Sequence, residues 1–115
     1  MIESCLGICF FKTSNGLEPV RSWLQSLTTQ ERKSIGTDIK TVQFGWPLGM
    51  PLVKKMADGL WEIRTHLPDK IARVFFTVVG QTIFLLHGFM KKSQATPEKE
   101  LTIAKTRLKQ LRNSL

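Results

Sequence analysis

The second half of the chain alternates between apolar and polar residues with a period of two. The alternation runs through LWEIRTHL (residues 60–67) and IARVFFTVV (residues 71–79), with a Pro-Asp-Lys turn between them. A period of two is typical of half-buried strands. A Gly-Gln turn then leads into TIFLLHGF (residues 82–89). The pattern therefore predicts an antiparallel meander of three strands.

Two helices are predicted before the meander. Pro19 opens the first, which runs to about Leu27 with apolar residues at helical spacing. A capping box formed by Thr28 and Glu31 opens the second, which ends near Gly45.

A strand precedes these helices, and a third helix follows the meander. The short apolar run CLGICFFK (residues 5–12) predicts the strand. Thr96 is the predicted N-cap of a C-terminal amphipathic helix. Its outer face is predicted to be basic, with Lys99, Lys105, Arg107, Lys109 and Arg112. The Gly- and Pro-rich segment 45–59 is predicted as an apolar loop. The predicted fold is α+β, with two N-terminal helices, a twisted antiparallel sheet of about four strands and a C-terminal helix.

Length and composition indicate an ordinary globular chain. A chain of 115 residues is expected to form one domain, residues 1–115. Hydrophobic residues make up 42% and charged residues 23%, which excludes a disordered chain. No apolar run reaches the roughly 18 residues of a membrane span. The sequence is therefore expected to be soluble and cytoplasmic, without a membrane partner.

Positive charge is concentrated in the second half. The net charge is +8, and residues 51–115 carry 12 basic and 5 acidic side chains, against 5 and 4 in residues 1–50. A field of this sign favours a phosphate backbone, an anionic membrane surface or an acidic partner protein. Solubility alone also explains it.

The cysteines and histidines predict neither a disulfide nor a metal site. Cys5 and Cys9 are four residues apart in a predicted strand, which separates them by about 13 Å. His66 and His87 lie outside any Cys/His cluster. The thiols are expected to be buried and reduced, and no cofactor is predicted.

A candidate site follows from the predicted register. Arg64 and Arg73 are expected to emerge from neighbouring strands on one face, with Lys91 and Lys92 at the end of the sheet. Fixed cations suit a phosphodiester, and they stabilise the pentavalent intermediate formed when the 2′-OH of RNA attacks its phosphate. His87 is a further catalytic candidate. The expected substrate-binding residues are Lys54, Lys55, Phe75 as a ring that stacks on a base, and Gln94.

Each candidate also has a structural explanation. Arg64 and Arg73 fit solvated residues on an open sheet face, since an antiparallel sheet often has one polar face. His87 fits a hydrogen-bonded core histidine. The lysine pairs have little beyond charge to distinguish them.

Three blocks resemble those of a known family. PLGMPLVKKMADGLWEIR, ARVFF and LLHGFMKKSQATP are similar to blocks of the phage-derived HigB-type toxins, a branch of the RelE/ParE superfamily of type II toxin–antitoxin systems. The resemblance runs from about residue 48 to residue 105. It implies a RelE-like fold, metal-independent cleavage of mRNA on the translating ribosome and a HigA-like helix-turn-helix antitoxin as partner. By this resemblance Arg64 and Arg73 match basic strand positions, and Lys91 and Lys92 match the last basic block.

The sequence departs from those relatives at two places. They often have Tyr where this chain has Phe76, and KTQKTP where it has KSQATP (residues 92–97). The chain contains no Tyr, so acid–base chemistry would pass to Lys, to His87 or to solvent. Two other functions stay open: a non-catalytic ParE-like toxin that binds DNA gyrase, and a basic nucleic-acid-binding protein without toxicity.

Overall fold

A computed structural model describes residues 5–92 and 95–115. The elements in chain order are β1 (Gly7–Phe10), α1 (Pro19–Gln25), α2 (Thr29–Gly45), β2 (Val53–Ala57), β3 (Leu60–His66), β4 (Ile71–Val79), β5 (Thr82–Lys91) and α3 (Glu98–Ser114). Within these ranges, one sheet has the order β1-β5-β4-β3-β2. β1 runs parallel to β5, and the other neighbours are antiparallel.

The α+β class, the two N-terminal helices and the C-terminal helix are confirmed. The strand count is wrong, because the described residues contain five strands rather than about four. The missed strand is β2, inside the segment predicted as a loop. Among the described residues it pairs with β3 alone, and its register shifts between Lys55 and Ala57. A short, charged edge strand needs only one partner, so its own sequence carries little strand pattern.

The sheet is mixed rather than antiparallel. Gly7 pairs with Thr82 and Phe10 pairs with Leu85, so the first strand of the chain lies beside the last. A parallel neighbour requires a crossover connection, which helices and strands supply here. The apolar run predicted the strand but gave no information about its partner.

The first two helices begin and end close to the predicted positions. In the capping box of α2, the Glu31 amide donates to Thr28 Oγ1 over 3.1 Å, and the Thr28 amide donates to Glu31 Oε1 over 3.0 Å. Lys70, in the β3–β4 turn, lies 2.7 Å from Glu31 Oε2. The start of α2 is therefore fastened to the turn that joins two strands of the site described below.

One face of the sheet packs against α1 and α2. Trp46 contacts Trp61 and Phe76 edge-on, with ring centroids 4.8 and 5.3 Å apart. A side chain at Gly88 would collide with the Trp23 ring, so α1 depends on that glycine for its close approach to β5. The buried residues of this face are Val20, Ile35, Ile39, Val42, Val53, Ile63, Ala72, Val74, Phe76, Ile83 and Leu85.

The opposite face packs against α3. Its buried apolar residues are Phe11, Leu60, Phe75, Leu86, Phe89, Ala104, Leu108 and Leu111. The helix begins at Glu98 with Pro97 as its N-cap, so the prediction of Thr96 as N-cap is wrong. Arg107, expected on the outer basic face, instead donates to the Leu86 carbonyl of β5 over 2.9 Å.

Two further predictions concern thiols and membranes. Cys5 and Cys9 are both free, as predicted, but they are exposed rather than buried, because β1 is an edge strand. In the described part of the chain, no helix is long and apolar enough to cross a membrane.

Candidate functional site

Arg64 and Arg73 lie directly opposite each other on β3 and β4. Both side chains lie on the same face of the sheet, as the alternation predicted. The helix α3 partly covers this face. The face is not open, however: Arg73 is 0% exposed and Arg64 is 7% exposed. The interpretation of these arginines as solvated surface residues is therefore wrong. Two like charges on opposed strands repel each other, so their burial requires a counter-charge.

Glu62 provides that counter-charge. Arg64 Nε donates to Glu62 Oε1 over 2.7 Å, and Arg73 Nη1 lies 3.6 Å from the same oxygen. Glu62 itself is 0% exposed. Burial lowers the pKa of Arg73, the Glu62 carboxylate raises it, and the nearby Arg64 lowers it. Since two guanidinium groups share one carboxylate, the group keeps a net positive charge.

Thr96 completes this group. Arg73 Nη1 donates to Thr96 Oγ1 over 2.9 Å, and Thr96 Oγ1 donates to Glu62 Oε2 over 2.9 Å. The hydroxyl expected to cap α3 therefore binds Arg73 and Glu62 instead. We call these four residues the arginine cluster: Glu62, Arg64, Arg73 and Thr96.

His87 is enclosed by α3 rather than exposed at the site. Arg107 Nη1 lies 3.1 Å from His87 Nδ1, and His87 Nε2 lies 2.7 Å from Glu100 Oε1. A guanidinium group only donates hydrogen bonds, so Nδ1 accepts and the proton is on Nε2. Burial lowers the pKa of His87, Glu100 raises it and Arg107 lowers it. The ring is neutral and hydrogen-bonded, which fits the alternative of a core histidine.

Phe75 shares the arginine face but is 0% exposed. Its ring lies 6.2 Å from the His87 ring and 5.9 Å from the Phe89 ring, between centroids. The expected stacking on a base requires an exposed ring, and α3 covers this one. Phe76 points to the opposite face and packs in the α1/α2 core. A tyrosine at position 76 would therefore not reach the arginine cluster in this fold.

The candidate lysines do not all lie on the same face of the sheet. Lys54 pairs with Glu62 and Lys91 pairs with Ile71, which places both on the arginine side of the sheet. Residues two apart on a strand lie about 7 Å apart, so Lys54 and Lys91 flank the cross-strand row of Arg64 and Arg73. Both lysines are exposed.

The remaining candidates are Lys55, Lys92 and Gln94. Lys55 pairs with Trp61, so it points to the α1/α2 side. Lys92 is exposed just after β5. Gln94 lies outside the described residues.

His66 was not among the expected site residues, yet it is exposed and shares the alternating face of Glu62 and Arg64. Arg64 and His66 line a cleft of about 290 Å³ with Asp38, Pro51 and Leu52. Within residues 5–92 and 95–115, no group of three or more His, Cys, Asp or Glu side chains could hold a metal ion.

Comparison with known protein families matches residues 22–109 to the family described as phage derived protein Gp49-like (DUF891). The match covers most of the chain, including every member of the arginine cluster. The chain belongs to this Gp49-like family. The family is part of the RelE/HigB-type superfamily of toxin–antitoxin toxins, which implies an antitoxin partner. A search of the curated proteins found no match.

Membership in the Gp49-like family indicates a toxin, and RelE-type toxins are endoribonucleases. The site that could serve such a reaction contains Glu62 and Thr96, which sequence reasoning missed. The available signal for Glu62 was its position two residues before Arg64, which places both side chains on the same face of β3. No local signal existed for Thr96, because its position before a helix is equally typical of an N-cap.

Proposed function

We propose that this protein is a HigB-type toxin that cleaves mRNA on the translating ribosome and so inhibits translation. The observation that carries the proposal is the opposed pair Arg64 and Arg73, fixed on rigid strands and flanked by exposed Lys54 and Lys91. Rigid strands hold charges where a transition state develops them, which is the arrangement electrostatic catalysis requires.

The reaction needs three events at one phosphate. The 2′-OH loses its proton and attacks the adjacent phosphorus, a phosphorane forms, and the bond to the 5′ oxygen breaks while that oxygen takes up a proton. The products are a 2′,3′-cyclic phosphate and a 5′-OH. Guanidinium and ammonium groups supply positive charge to the phosphorane, so we propose that cleavage proceeds without a metal or other cofactor.

The proton transfers are assigned to exposed groups. The chain has no Tyr, and both ring nitrogens of His87 are engaged with Arg107 and Glu100. His66 is exposed beside Arg64, and histidine is the side chain that most often serves as general acid or base. Lys91 and Lys92, at the end of β5, are the other exposed candidates.

The size of the site supports the proposal that cleavage depends on the ribosome. A cleft of about 290 Å³ beside Arg64 holds little of an RNA chain. The ribosome would hold the mRNA and align the 2′-OH with its phosphate, which lowers the entropic cost of the reaction. We propose that the protein acts in the cytoplasm as a single domain.

The antitoxin partner is proposed to be a HigA-like helix-turn-helix protein. The net charge of +8 favours fast, salt-sensitive association with an acidic segment. Co-expression of a small helix-turn-helix protein encoded beside the toxin should restore growth. Continued toxicity with a stable antitoxin present would show that the pairing is wrong.

One observation favours a second function. Arg73, His87 and Phe75 are all covered, and a catalytic site would be expected to expose more of its chemistry. A non-catalytic toxin that binds DNA gyrase, as ParE-like toxins do, needs only a surface. We keep this as the alternative.

Induced expression in bacteria followed by primer extension on several mRNAs distinguishes the two. Cuts confined to translated regions, and lost when the start codon is removed, are the expected result. Equal cutting of untranslated RNA would contradict ribosome dependence. Intact mRNA together with cleaved DNA would favour the gyrase toxin. The matched control is Arg64→Ala expressed to the same level.

A further inference from the structure

The arginine cluster contains two residues whose chemistry the proposed cleavage does not use. Glu62 is an anion at the centre of a site proposed to attract a phosphate, and Thr96 has no acid–base role. Glu62 nevertheless accepts a hydrogen bond from Arg64, and Thr96 accepts one from Arg73. Their presence requires an explanation.

Stability alone does not explain Glu62. Burying a carboxylate and two guanidinium groups carries a large desolvation cost, and apolar residues of similar volume are often at least as stabilising as a buried ion pair. The neighbouring positions under α3 are apolar: Leu60, Phe75, Leu86 and Phe89. An extension of that apolar patch would be the ordinary solution for this face.

The hydroxyl of Thr96 is likewise bound to the arginine cluster rather than to the helix. A Thr immediately before a helix normally accepts from a backbone amide of the first turn, which contributes about 1 kcal/mol. Here α3 has Pro97 as N-cap and no side-chain cap. The chain forgoes that cap while Thr96 Oγ1 bridges Arg73 and Glu62.

The geometry of the bridge couples three elements. Glu62 and Arg64 are on β3, Arg73 is on β4, and Thr96 lies just before Pro97, the N-cap of α3. Glu62 fixes Arg64 through Nε with one oxygen, while its other oxygen is bound by Thr96. Rotation of any one of these side chains would therefore break a contact of its neighbour.

We propose that Glu62 and Thr96 are positioning residues: Glu62 holds Arg64 and Arg73 side by side against their mutual repulsion, and Thr96 ties the pair to the start of α3. This inference rests on the proposed function in so far as the pair acts on RNA. The effect is on the placement of the guanidinium groups rather than on RNA affinity.

The test compares Thr96→Val, which removes the hydroxyl at nearly constant volume, with Thr96→Ser, which keeps it. Thr102→Val is the matched control, because the Thr102 hydroxyl bonds only within α3, to the Glu98 carbonyl. Single-turnover cleavage on programmed ribosomes is measured over a range of toxin concentrations. Thr96→Val should lower the maximal rate about tenfold at unchanged half-saturation, while Thr96→Ser and Thr102→Val cleave like the wild type.

Glu62→Gln, which removes the counter-charge, should lower the maximal rate more than Thr96→Val. If Glu62→Gln does not fold, the threonine variants alone test the proposal. A wild-type rate in Thr96→Val, or a change in half-saturation alone, would overturn the proposal.

A second measurement needs no cleavage and separates this inference from the function. The side-chain Nε–H signals of Arg64 and Arg73 are followed by NMR in the protein alone. Slow solvent exchange in the wild type and in Thr96→Ser, with faster exchange in Thr96→Val, is expected. Equal exchange in all three would overturn positioning even if the protein cleaves RNA. Faster exchange only in Thr96→Val, in a protein that cuts no RNA, would support positioning and reject the function.

Discussion

The two faces of the sheet are built from the same alternating strands but hold different chemistry. The face under α1 and α2 has a buried core of aliphatic and aromatic side chains, including the contact of Trp46 with Phe76. The face under α3 is apolar along the helix and ionic near its start, where Glu62, Arg64 and Arg73 are buried together. One face therefore resembles an ordinary core, and the other combines a core with a charged cluster.

We propose that the two faces have different roles. Apolar burial stabilises the fold without specific geometry, whereas a buried ionic cluster costs desolvation energy and depends on every hydrogen bond. Departures from ordinary core packing are expected at functional sites. The five predictions below test whether stability resides mainly in the first face and activity in the second.

The largest effect is expected from Phe76→Ala. Removing a fully buried ring from the α1/α2 face should lower the free energy of unfolding by about 3–5 kcal/mol. Urea denaturation measures the loss, and cleavage per folded molecule in the cold should stay near the wild-type value. A loss below about 1 kcal/mol would contradict the assignment of this face as the main source of stability.

Arg64→Lys tests the ionic face. The charge is kept but the guanidinium fork is lost, so the single-turnover rate should fall about a hundredfold or more. Arg73→Lys should show a similar loss, since that fork binds Thr96. Circular dichroism confirms folding. Wild-type cleavage by both variants would show that neither guanidinium group takes part in the reaction.

The two histidines give an internal control for proton transfer. His66→Gln should slow cleavage by about a hundredfold and alter the pH–rate profile, because it removes the exposed imidazole beside Arg64. His87→Gln should leave the profile unchanged, since both its nitrogens are bound to α3. The reverse result would identify His87 as the acid–base group.

Lys54 and Lys55 are adjacent and equally charged, but they point to opposite faces. Lys54→Ala should weaken ribosome binding several-fold and reduce the slope of log affinity against log salt by about 1. Lys55→Ala should change the slope little. Binding titrations at several salt concentrations measure both. Equal slopes for the two variants would show that total charge, not the arginine face, binds RNA.

The smallest effect concerns pH and stability. The folded-state pKa of His87 is lowered, so the unfolded chain binds a proton first as pH falls below about 6.5. His87 therefore destabilises the fold as pH falls from about 6.5 toward its lowered pKa, and contributes no pH dependence above that range. Melting temperatures measured from pH 5 to 8 should fall less at the acidic end for His87→Gln. Identical curves would contradict the buried neutral ring.

The sequence by itself determined which side chains share a face. Strand alternation placed Arg64 beside Arg73 and opposite to Ile63 and Val74, as the register confirms. It also determined the capping box of α2. These features depend on local geometry, because the backbone sets the direction of a side chain relative to its own strand or helix.

Only the tertiary structure decided what covers each face. It placed α3 over Phe75 and His87 and directed Arg107 inward. It also paired Thr96 with Arg73 and Glu62 instead of with the helix end. It also paired β1 with β5, and pairing with β3 gave β2 its strand conformation. Burial and strand pairing depend on contacts between segments far apart in the chain, and local periodicity carries no information about those distant partners.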